Sequence, residues 1–213
     1  MAAYIVIAII AYAIGSINFS VIISRKVAGF DIREKGSGNA GSTNMLRSVG
    51  KKAALMTLCC DILKGVVSIL IAIIAGLIAK ESANSAILVQ IAALCVVIGH
   101  TYPIFFEFRG GKGVATSLGI IILVNWKIGL ICLVFALALM IVTRMVSLGS
   151  VSAAVLFPIL TLAIPDNYIV EGNYFIFGIL LAAIVIFNHR TNIKRIIEGK
   201  ENKLSFKKKE ENK

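Results

Sequence analysis

Long apolar stretches, separated by short polar ones, run along almost the whole chain. Most of them approach the roughly 20 residues that an α-helix needs to cross a lipid bilayer. The pattern predicts an all-α integral membrane protein with seven transmembrane helices near residues 3–24, 53–79, 84–106, 114–125, 128–145, 149–165 and 173–190. Residues 1–199 then form a single seven-span domain, and residues 200–213 form a basic, solvated cytoplasmic tail.

The composition excludes an ordinary soluble domain. Of the 213 residues, 58% are hydrophobic, against about 45–50% in typical soluble domains, and the mean hydropathy is +0.91. The four cysteines lie inside apolar runs, without partners at the spacing of metal ligands, and act as small buried hydrophobes. We therefore expect no disulfide framework, no metal site and no cofactor.

The net charge of +11 is divided unequally between the connections. One set holds most of the basic residues: the loop 25–52, the loop with Arg109 and Lys112, Arg144, and the tail from Arg190. The other set holds only Lys80 and Lys127, beside Glu81, Asp166 and Glu171. Because basic connections remain in the cytoplasm, we expect the N-terminus outside and the C-terminus inside. Such charges suit anionic lipid headgroups of the bilayer rather than nucleic acid.

Two glycine-rich polar runs, 36–44 and 110–113, interrupt the apolar pattern on the predicted cytoplasmic face. Glycine-rich backbone turns its N–H groups toward an anion, and irregular backbone in a membrane persists only when buried in protein or beside a wet cavity. We therefore expect the two runs to form one phosphate site. Its candidate ligands are Ser37, Gly38, Asn39, Thr43, Asn44, Arg47, Gly110, Gly111, Lys112 and Gly113. The alternative for the first run is an ordinary loop in which Thr43 or Asn44 caps a helix.

Other polar residues accompany the spans. Asp61 and Lys64 share a helix face, where they either neutralise each other or support the site. His100 is either a helix-end histidine or a further supporting residue. Ser147 and Ser150 form a cluster with Arg144 at the cytoplasmic edge and are further candidate substrate ligands, with a simple charged helix end as the alternative. His189 and Asn192, three residues apart, share a face at the end of the last span.

These motifs, taken together, resemble the bacterial acyl-phosphate:glycerol-3-phosphate acyltransferase family over nearly the whole chain. They occur in the order Gly15-Ser16, 36–47, Asp61 with Lys64-Gly65, 99–113, Ser147 with Ser150, and His189 with Asn192. Asn18, Ser42 and Arg109 depart from the family pattern without removing a donor. The resemblance implies a seven-span enzyme of the bacterial cytoplasmic (inner) membrane whose active site faces the cytosol. It also implies transfer of an acyl group from acyl phosphate to glycerol 3-phosphate, the first acylation of phospholipid synthesis.

An acyl phosphate is a mixed anhydride, so positioning and charge stabilisation supply most of the rate and no covalent nucleophile is needed. We expect Lys112, His189 and Asn192 to be the catalytic residues, with either His189 or the departing phosphate as the base. Two other functions would use the same anion-binding residues. A transporter of a phosphorylated metabolite is the main alternative, and a scaffold that binds lipid headgroups is the second.

Overall fold

The computed structural model describes residues 2–79, 85–165 and 168–204. In these ranges the chain forms ten α-helices: α1 (Ala2–Gly15), α2 (Phe19–Ala28), α3 (Ser42–Ser48), α4 (Lys51–Ile78), α5 (Ser85–Thr101), α6 (Val114–Val124), α7 (Trp126–Thr143), α8 (Val146–Ala163), α9 (Phe175–Asn188) and α10 (Arg190–Ile197). Two 3₁₀ helices cover Ile32–Glu34 and Ile104–Phe106. Lys80, Glu81, Asp166 and the tail from 205 to 213 lie outside the described residues.

A helix lies at each of the seven predicted spans. Five segments of the described chain are long and apolar enough to cross a membrane: Ala2–Ala28, Lys51–Ile78, Ser85–Phe106, Trp126–Thr143 and Val146–Ala163. The pair formed by α9 and α10, bent by 64°, makes up to six. The 11-residue helix α6 falls short of that length. The structure therefore supports an all-helical protein with five or six candidate spans.

The first predicted helix is wrong in one respect, because it breaks between Gly15 and Phe19. Asn18 caps α2 by accepting a hydrogen bond from the N–H of Val21 (3.2 Å). Lys64 of α4 donates from Nζ to the carbonyls of Gly15 and Ile17, both at 3.0 Å. A tertiary contact thus satisfies carbonyls that an unbroken helix would have paired internally. The short helices α3 and α10 were not predicted either.

The helices form a closed circuit around a central cavity. Packed neighbours follow in the order α4, α6, α7, α8, α9 and α5, and α5 returns to α4, while α1 covers α5 from outside. Gly65 and Gly119 let α4 and α6 approach until a Cβ on either glycine would overlap a backbone oxygen of the other helix. This close packing holds the start of α6, and with it the second glycine-rich run, against α4.

Large apolar side chains cover the outer surface of the circuit. Leu77, Ile78, Ile141 and Val142 are between 69% and 82% exposed. In water such a surface would be a strong aggregation hazard, whereas hydrocarbon solvates it without cost. The exposure pattern therefore agrees with helices that face lipid.

Candidate active site

The polar connections converge at one end of a cavity of about 620 Å³. Its boundary is formed by the first glycine-rich run, the start of α6, the start of α8 and the junction of α9 with α10. The predicted site residues that line it are Ser37, Gly38, Asn39, Thr43, Asn44, Arg47, Asp61, His100, Lys112, Ser147, Ser150, His189 and Asn192. The others, Lys64, Gly110, Gly111 and Gly113, are not part of the lining. Residues far apart in the sequence thus share one site.

Asn44 organises the first glycine-rich run from within. Its Oδ1 accepts from the N–H of Ser37 (3.0 Å), and its Nδ2 donates to the carbonyls of Ile32, Lys35 and Asn39 at 2.9 to 3.1 Å. Both ends of the amide are therefore occupied, and Asn44 holds the loop instead of offering a donor to a ligand. The residue that caps α3 is Gly41, so the capping alternative for Thr43 and Asn44 is wrong.

The other polar side chains of the first run are available to a ligand. Within the described residues, the hydroxyls of Ser37 and Thr43 and the side-chain amide of Asn39 make no hydrogen bond, although all three residues line the cavity. Arg47 reaches the same cavity from α3, and its Nη2 donates weakly to the carbonyl of Asn202 (3.4 Å). The loop therefore presents two hydroxyls, one amide and one guanidinium, a set suited to phosphate oxygens.

Backbone hydrogen bonds fix the shape of the second run. The N–H groups of Gly110 and Gly111 donate to the carbonyls of Thr101 and His100, both at 3.1 Å, so they do not face an anion as the sequence suggested. A Cβ on Gly111 would overlap the Nε2 of His100. Gly113, with a φ of 85°, starts α6. The groups of this run that remain available to an anion are the Lys112 ammonium and the N–H groups of the first turn of α6, which borders the cavity.

A buried acid that the sequence analysis did not identify lies among these cations. Oε1 of Glu201 accepts from Asn192 Nδ2 (2.7 Å) and Ser147 Oγ (2.9 Å), and Oε2 accepts from Arg195 Nε (3.0 Å). Asn192 in turn accepts a short hydrogen bond from the ammonium of Lys112. Residues 200–204 therefore fold back over the site, where the sequence suggested a solvated tail.

These contacts set the charge states at the mouth of the cavity. Burial lowers the pKa of the Lys112 ammonium to about 8; Glu201 raises that pKa, whereas Arg195 and Arg47 lower it. Burial also raises the pKa of Glu201, but hydrogen bonds from Asn192, Arg195 and Ser147 outweigh it and hold the pKa below its usual range. The carboxylate of Glu201 at the mouth is therefore accompanied by the cations Lys112, Arg195 and Arg47.

His189 lies at the break between α9 and α10 and is 3% exposed. Its Nδ1 is 2.7 Å from the carbonyl of Val185, which can only accept, so the neutral ring carries its proton on Nδ1. Nε2 is then an acceptor, and among the described residues it has no partner. His189 can therefore receive a hydrogen bond from a hydroxyl that enters the cavity.

Asp61, Lys64 and His100 form a buried polar network beside the site. Lys64 Nζ is 3.1 Å from Asp61 Oδ1, and His100 Nδ1 is 3.5 Å from the same oxygen. Because Lys64 also binds the two carbonyls at the break after α1, its ammonium is fully used. The mutual ion pair, one of the two alternatives that the sequence left open, is therefore present, and it joins α1, α4 and α5 around the second run.

A second ion pair, between Arg33 and Asp31, holds a guanidinium that connects the loop around residue 31 to the loop before the second run. The Arg33 guanidinium binds Asp31 (2.8 Å) and donates to the carbonyl of Phe106 (2.8 Å). Burial raises the pKa of Asp31, yet hydrogen bonds from Arg33 and Arg25 bring it down to about 2. Arg33 is absent from the cavity lining, so it clamps the loop around residue 31 to the loop before the second run.

The chain is similar to known proteins over nearly its whole length. A family model described as glycerol-3-phosphate acyltransferase matches residues 5–199. The chain belongs to this family. A glycerol-3-phosphate acyltransferase of Clostridioides difficile (strain 630) is 44% identical over 205 residues, which cover 96% of this chain and 97% of the relative. The same name is carried by a protein of Thermoanaerobacter sp. (strain X514), 44% identical over 200 residues, which cover 94% of this chain and 95% of that protein.

Two solved structures of this glycerol-3-phosphate acyltransferase family share the fold. They are crystal structures of PlsY (YgiH), an integral membrane glycerol 3-phosphate acyltransferase, in its glycerol 3-phosphate and lysophosphatidic acid forms. The first has a TM-score of 0.84 and 34% identity and covers 95% of this chain and 96% of that one. The second has a TM-score of 0.82 and 32% identity, with 95% of each chain covered. The apolar helices and this likeness together make the chain a multi-pass membrane protein.

Sequence reasoning missed Glu201 because it treated residues 200–213 as one solvated tail, and it assigned no role in the site to Arg195. A local signal was present in Gly199, which has a φ of 69° and follows the end of α10. A glycine at this position reverses the chain direction after a helix. That reversal returns Glu201 toward Arg195, six residues earlier, and toward the cavity.

Proposed function

We propose that this acyltransferase moves an acyl group from acyl phosphate to glycerol 3-phosphate, releasing lysophosphatidic acid and phosphate. The observation that carries this proposal is the shape of the cavity. Its mouth presents Ser37, Asn39, Arg47 and Lys112, and its interior is lined by apolar side chains of α6, α7, α8 and α9. Both a phosphate group and an acyl chain therefore fit one continuous site. The reaction is the first acylation of phospholipid synthesis.

The two phosphates take different parts of the mouth. Lys112 and the first N–H groups of α6 hold one phosphate, since a helix N-terminus and an ammonium both favour an anion. Arg47, with Ser37, Asn39, Thr43 and Ser147, holds the other through charge-assisted and neutral hydrogen bonds. Ser147 is bound to Glu201 in the structure, so its hydroxyl changes partner when that phosphate enters.

His189 and Asn192 orient the reacting groups. The Nε2 of His189 accepts a hydrogen bond from the hydroxyl of glycerol 3-phosphate that does not react. The reacting hydroxyl gives its proton to the departing phosphate, which is already next to the attacked carbonyl. Such positioning alone provides effective molarities of about 10⁵–10⁸ M. His189→Asn keeps one hydrogen-bonding group and should retain much of kcat while raising KM. Loss of kcat by about 10³ with KM unchanged would instead assign His189 as the base.

The enzyme crosses the bacterial cytoplasmic (inner) membrane seven times, with the N-terminus outside and the site facing the cytosol. This topology counts α6 and α9 as spans beside the five long segments, and it places the loops with Arg25, Arg47 and Lys112 inside. A cysteine introduced at Ala83 should react with an impermeant reagent from outside, and one at Asn202 only from inside. The opposite labelling pattern contradicts this topology.

The decisive experiment uses purified protein in detergent, supplied with acyl phosphate and glycerol 3-phosphate. We expect lysophosphatidic acid and inorganic phosphate in equal amounts, with no metal or cofactor added. A transporter of a phosphorylated metabolite makes no product in detergent and moves its substrate only in sealed vesicles, so the two functions separate in one comparison. A headgroup-binding scaffold gives neither result.

A further inference from the structure

The apolar part of the cavity ends at a floor shared by four helices. The lining residues farthest from the polar mouth are Ile121 on α6, Cys132 on α7, Phe157 on α8 and Leu181 on α9. All four are buried, with 9% exposure or less, and belong to the central hydrophobic core. Each of the four helices thus ends its share of the lining at one of these buried residues, which together form the inner end of the cavity.

Phe157 has the largest side chain of the four, and its ring is held firmly from below. It packs edge to face against Phe177, with ring centres 6.0 Å apart, and Phe177 packs in the same way against Tyr174 (6.0 Å). Tyr174 stacks on Tyr168 at 4.3 Å. Three aromatic rings thus lie beneath the floor, and their packing restricts the movement of the Phe157 ring away from a ligand.

The depth of the apolar part follows from the geometry of α8. Phe157 lies ten residues beyond Ser147 on this helix, which at a rise of about 1.5 Å per residue corresponds to about 15 Å. An extended hydrocarbon chain, with bonds of about 1.5 Å, fills that distance with about twelve carbons. The distance between the polar mouth and the floor is therefore of the order of a fatty acyl chain.

We propose that Phe157 is a specificity-determining residue that sets the upper limit of acyl-chain length. The inference rests on the proposed function, because it takes the apolar part of the cavity as the seat of the acyl chain. Chains that end above the ring gain affinity with every buried methylene, by about fourfold each. A chain that reaches the ring must bend, or displace tightly packed aromatic side chains, and gains nothing further.

The test measures kcat/KM for acyl phosphates of increasing chain length, at saturating glycerol 3-phosphate, in detergent. Phe157→Ala removes a ring that extends about 4 Å beyond Cβ, room for about three more carbons. We expect the optimum chain length to increase by about that number. The ratio of kcat/KM between long and short chains is the readout, since it does not depend on the fraction of folded enzyme.

Two further variants keep the test decisive. Cys132→Phe places a ring into the floor from α7 and should shift the optimum to shorter chains, which decides the question even if Phe157→Ala does not fold. Ile159→Ala is the matched control, because Ile159 lies on the same helix but is 56% exposed on its outer surface. It should leave the chain-length profile unchanged.

The outcomes separate this inference from the function on which it rests. If wild-type protein makes no lysophosphatidic acid from any acyl phosphate, the proposed function fails. If the wild type is active but neither Phe157→Ala nor Cys132→Phe moves the optimum, the acyl chain leaves the cavity sideways and Phe157 does not limit it. Opposite shifts in the two floor variants, with Ile159→Ala unchanged, support the inference.

Discussion

The two glycine-rich runs border the same cavity but are held in place by different means. In the first run one side chain, Asn44, connects four backbone groups, and the surrounding hydroxyls and amide remain available to a ligand. In the second run the backbone binds back to α5 through Gly110 and Gly111, and His100 occupies the space where a side chain on Gly111 would lie. Only Lys112 in that run extends a charged side chain into the cavity.

The difference shows which residues of each run fix the shape of the loop and which are available to bind a ligand. In the first run shape depends on an asparagine and on two glycines of positive φ, Gly36 (59°) and Gly38 (72°), whereas Gly41 tolerates a side chain. In the second run shape depends on the absence of side chains, so its glycines are sensitive although their N–H groups do not face the ligand. Substitutions in the two runs should therefore affect stability and catalysis in different proportions.

The largest effect should come from Asn44→Ala. The change leaves the N–H of Ser37 and three carbonyls without their common partner. The bond to the Ile32 carbonyl is buried and the other three are partly buried, and a buried unsatisfied group costs about 1–3 kcal/mol. We expect the free energy of unfolding to fall by about 3 kcal/mol, measured by denaturation in detergent. Ser37→Ala is the control, because its hydroxyl holds nothing in the loop: it should raise KM and leave unfolding unchanged. Equal stability of both variants would show that Asn44 does not stabilise the loop.

Gly111→Ala should lower kcat/KM by about 10². The added methyl group displaces His100 or the run itself, and a shift of about 1 Å at a site is enough for a loss of this size. Gly41→Ala in the first run is the matched comparison. Its φ is −147°, and a methyl group there meets only the end of the Asn39 side chain. If Gly41→Ala proves the more damaging of the two, the proposed contrast between the runs is wrong.

Removing the charges of the two runs should have the next largest effect. Lys112→Ala and Arg47→Ala each lose a charge-assisted contact of about 1.5–3 kcal/mol, so kcat/KM should fall at least about tenfold with little change in protein level. Arg109→Ala serves as control, since Arg109 is basic and adjacent to the second run but does not line the cavity. Full activity in both Lys112→Ala and Arg47→Ala would mean that the runs only connect helices.

The smallest effect concerns pH and distinguishes the cations of the two runs. The Lys112 ammonium, with its pKa of about 8, is charged below that pH and loses its proton above it. Binding that depends on the charge is therefore nearly complete below about pH 7 and half lost at about pH 8, and KM should rise about fourfold by pH 8.5. Lys112→Arg keeps its charge and should flatten the profile. An equally steep rise in that variant would place the titrating group elsewhere.

The sequence was informative wherever a local pattern has a local consequence. Continuous apolar runs predicted seven spans, and the structure has a helix at each of these positions. The reason is that a segment without polar groups must pair its backbone internally in a membrane. The spacing of Asp61 and Lys64 left an ion pair and a supporting role as alternatives, and the structure shows the ion pair. The motifs from Gly36 to Asn192 predicted the family. The break at Ser16–Asn18 escaped notice because the carbonyls freed there are satisfied by Lys64, a residue of another helix.

The sequence by itself determined the helical class, the position of the polar runs and most of the polar residues around the cavity. Only the tertiary structure decided which contacts those residues make. Asn44 holds a loop, Arg33 connects two loops, and Glu201 binds Ser147, Asn192 and Arg195. The tertiary structure also decided where the apolar cavity ends. The physical reason is that residue type sets which bonds a side chain can make, whereas the partners are brought within reach only when distant segments pack together.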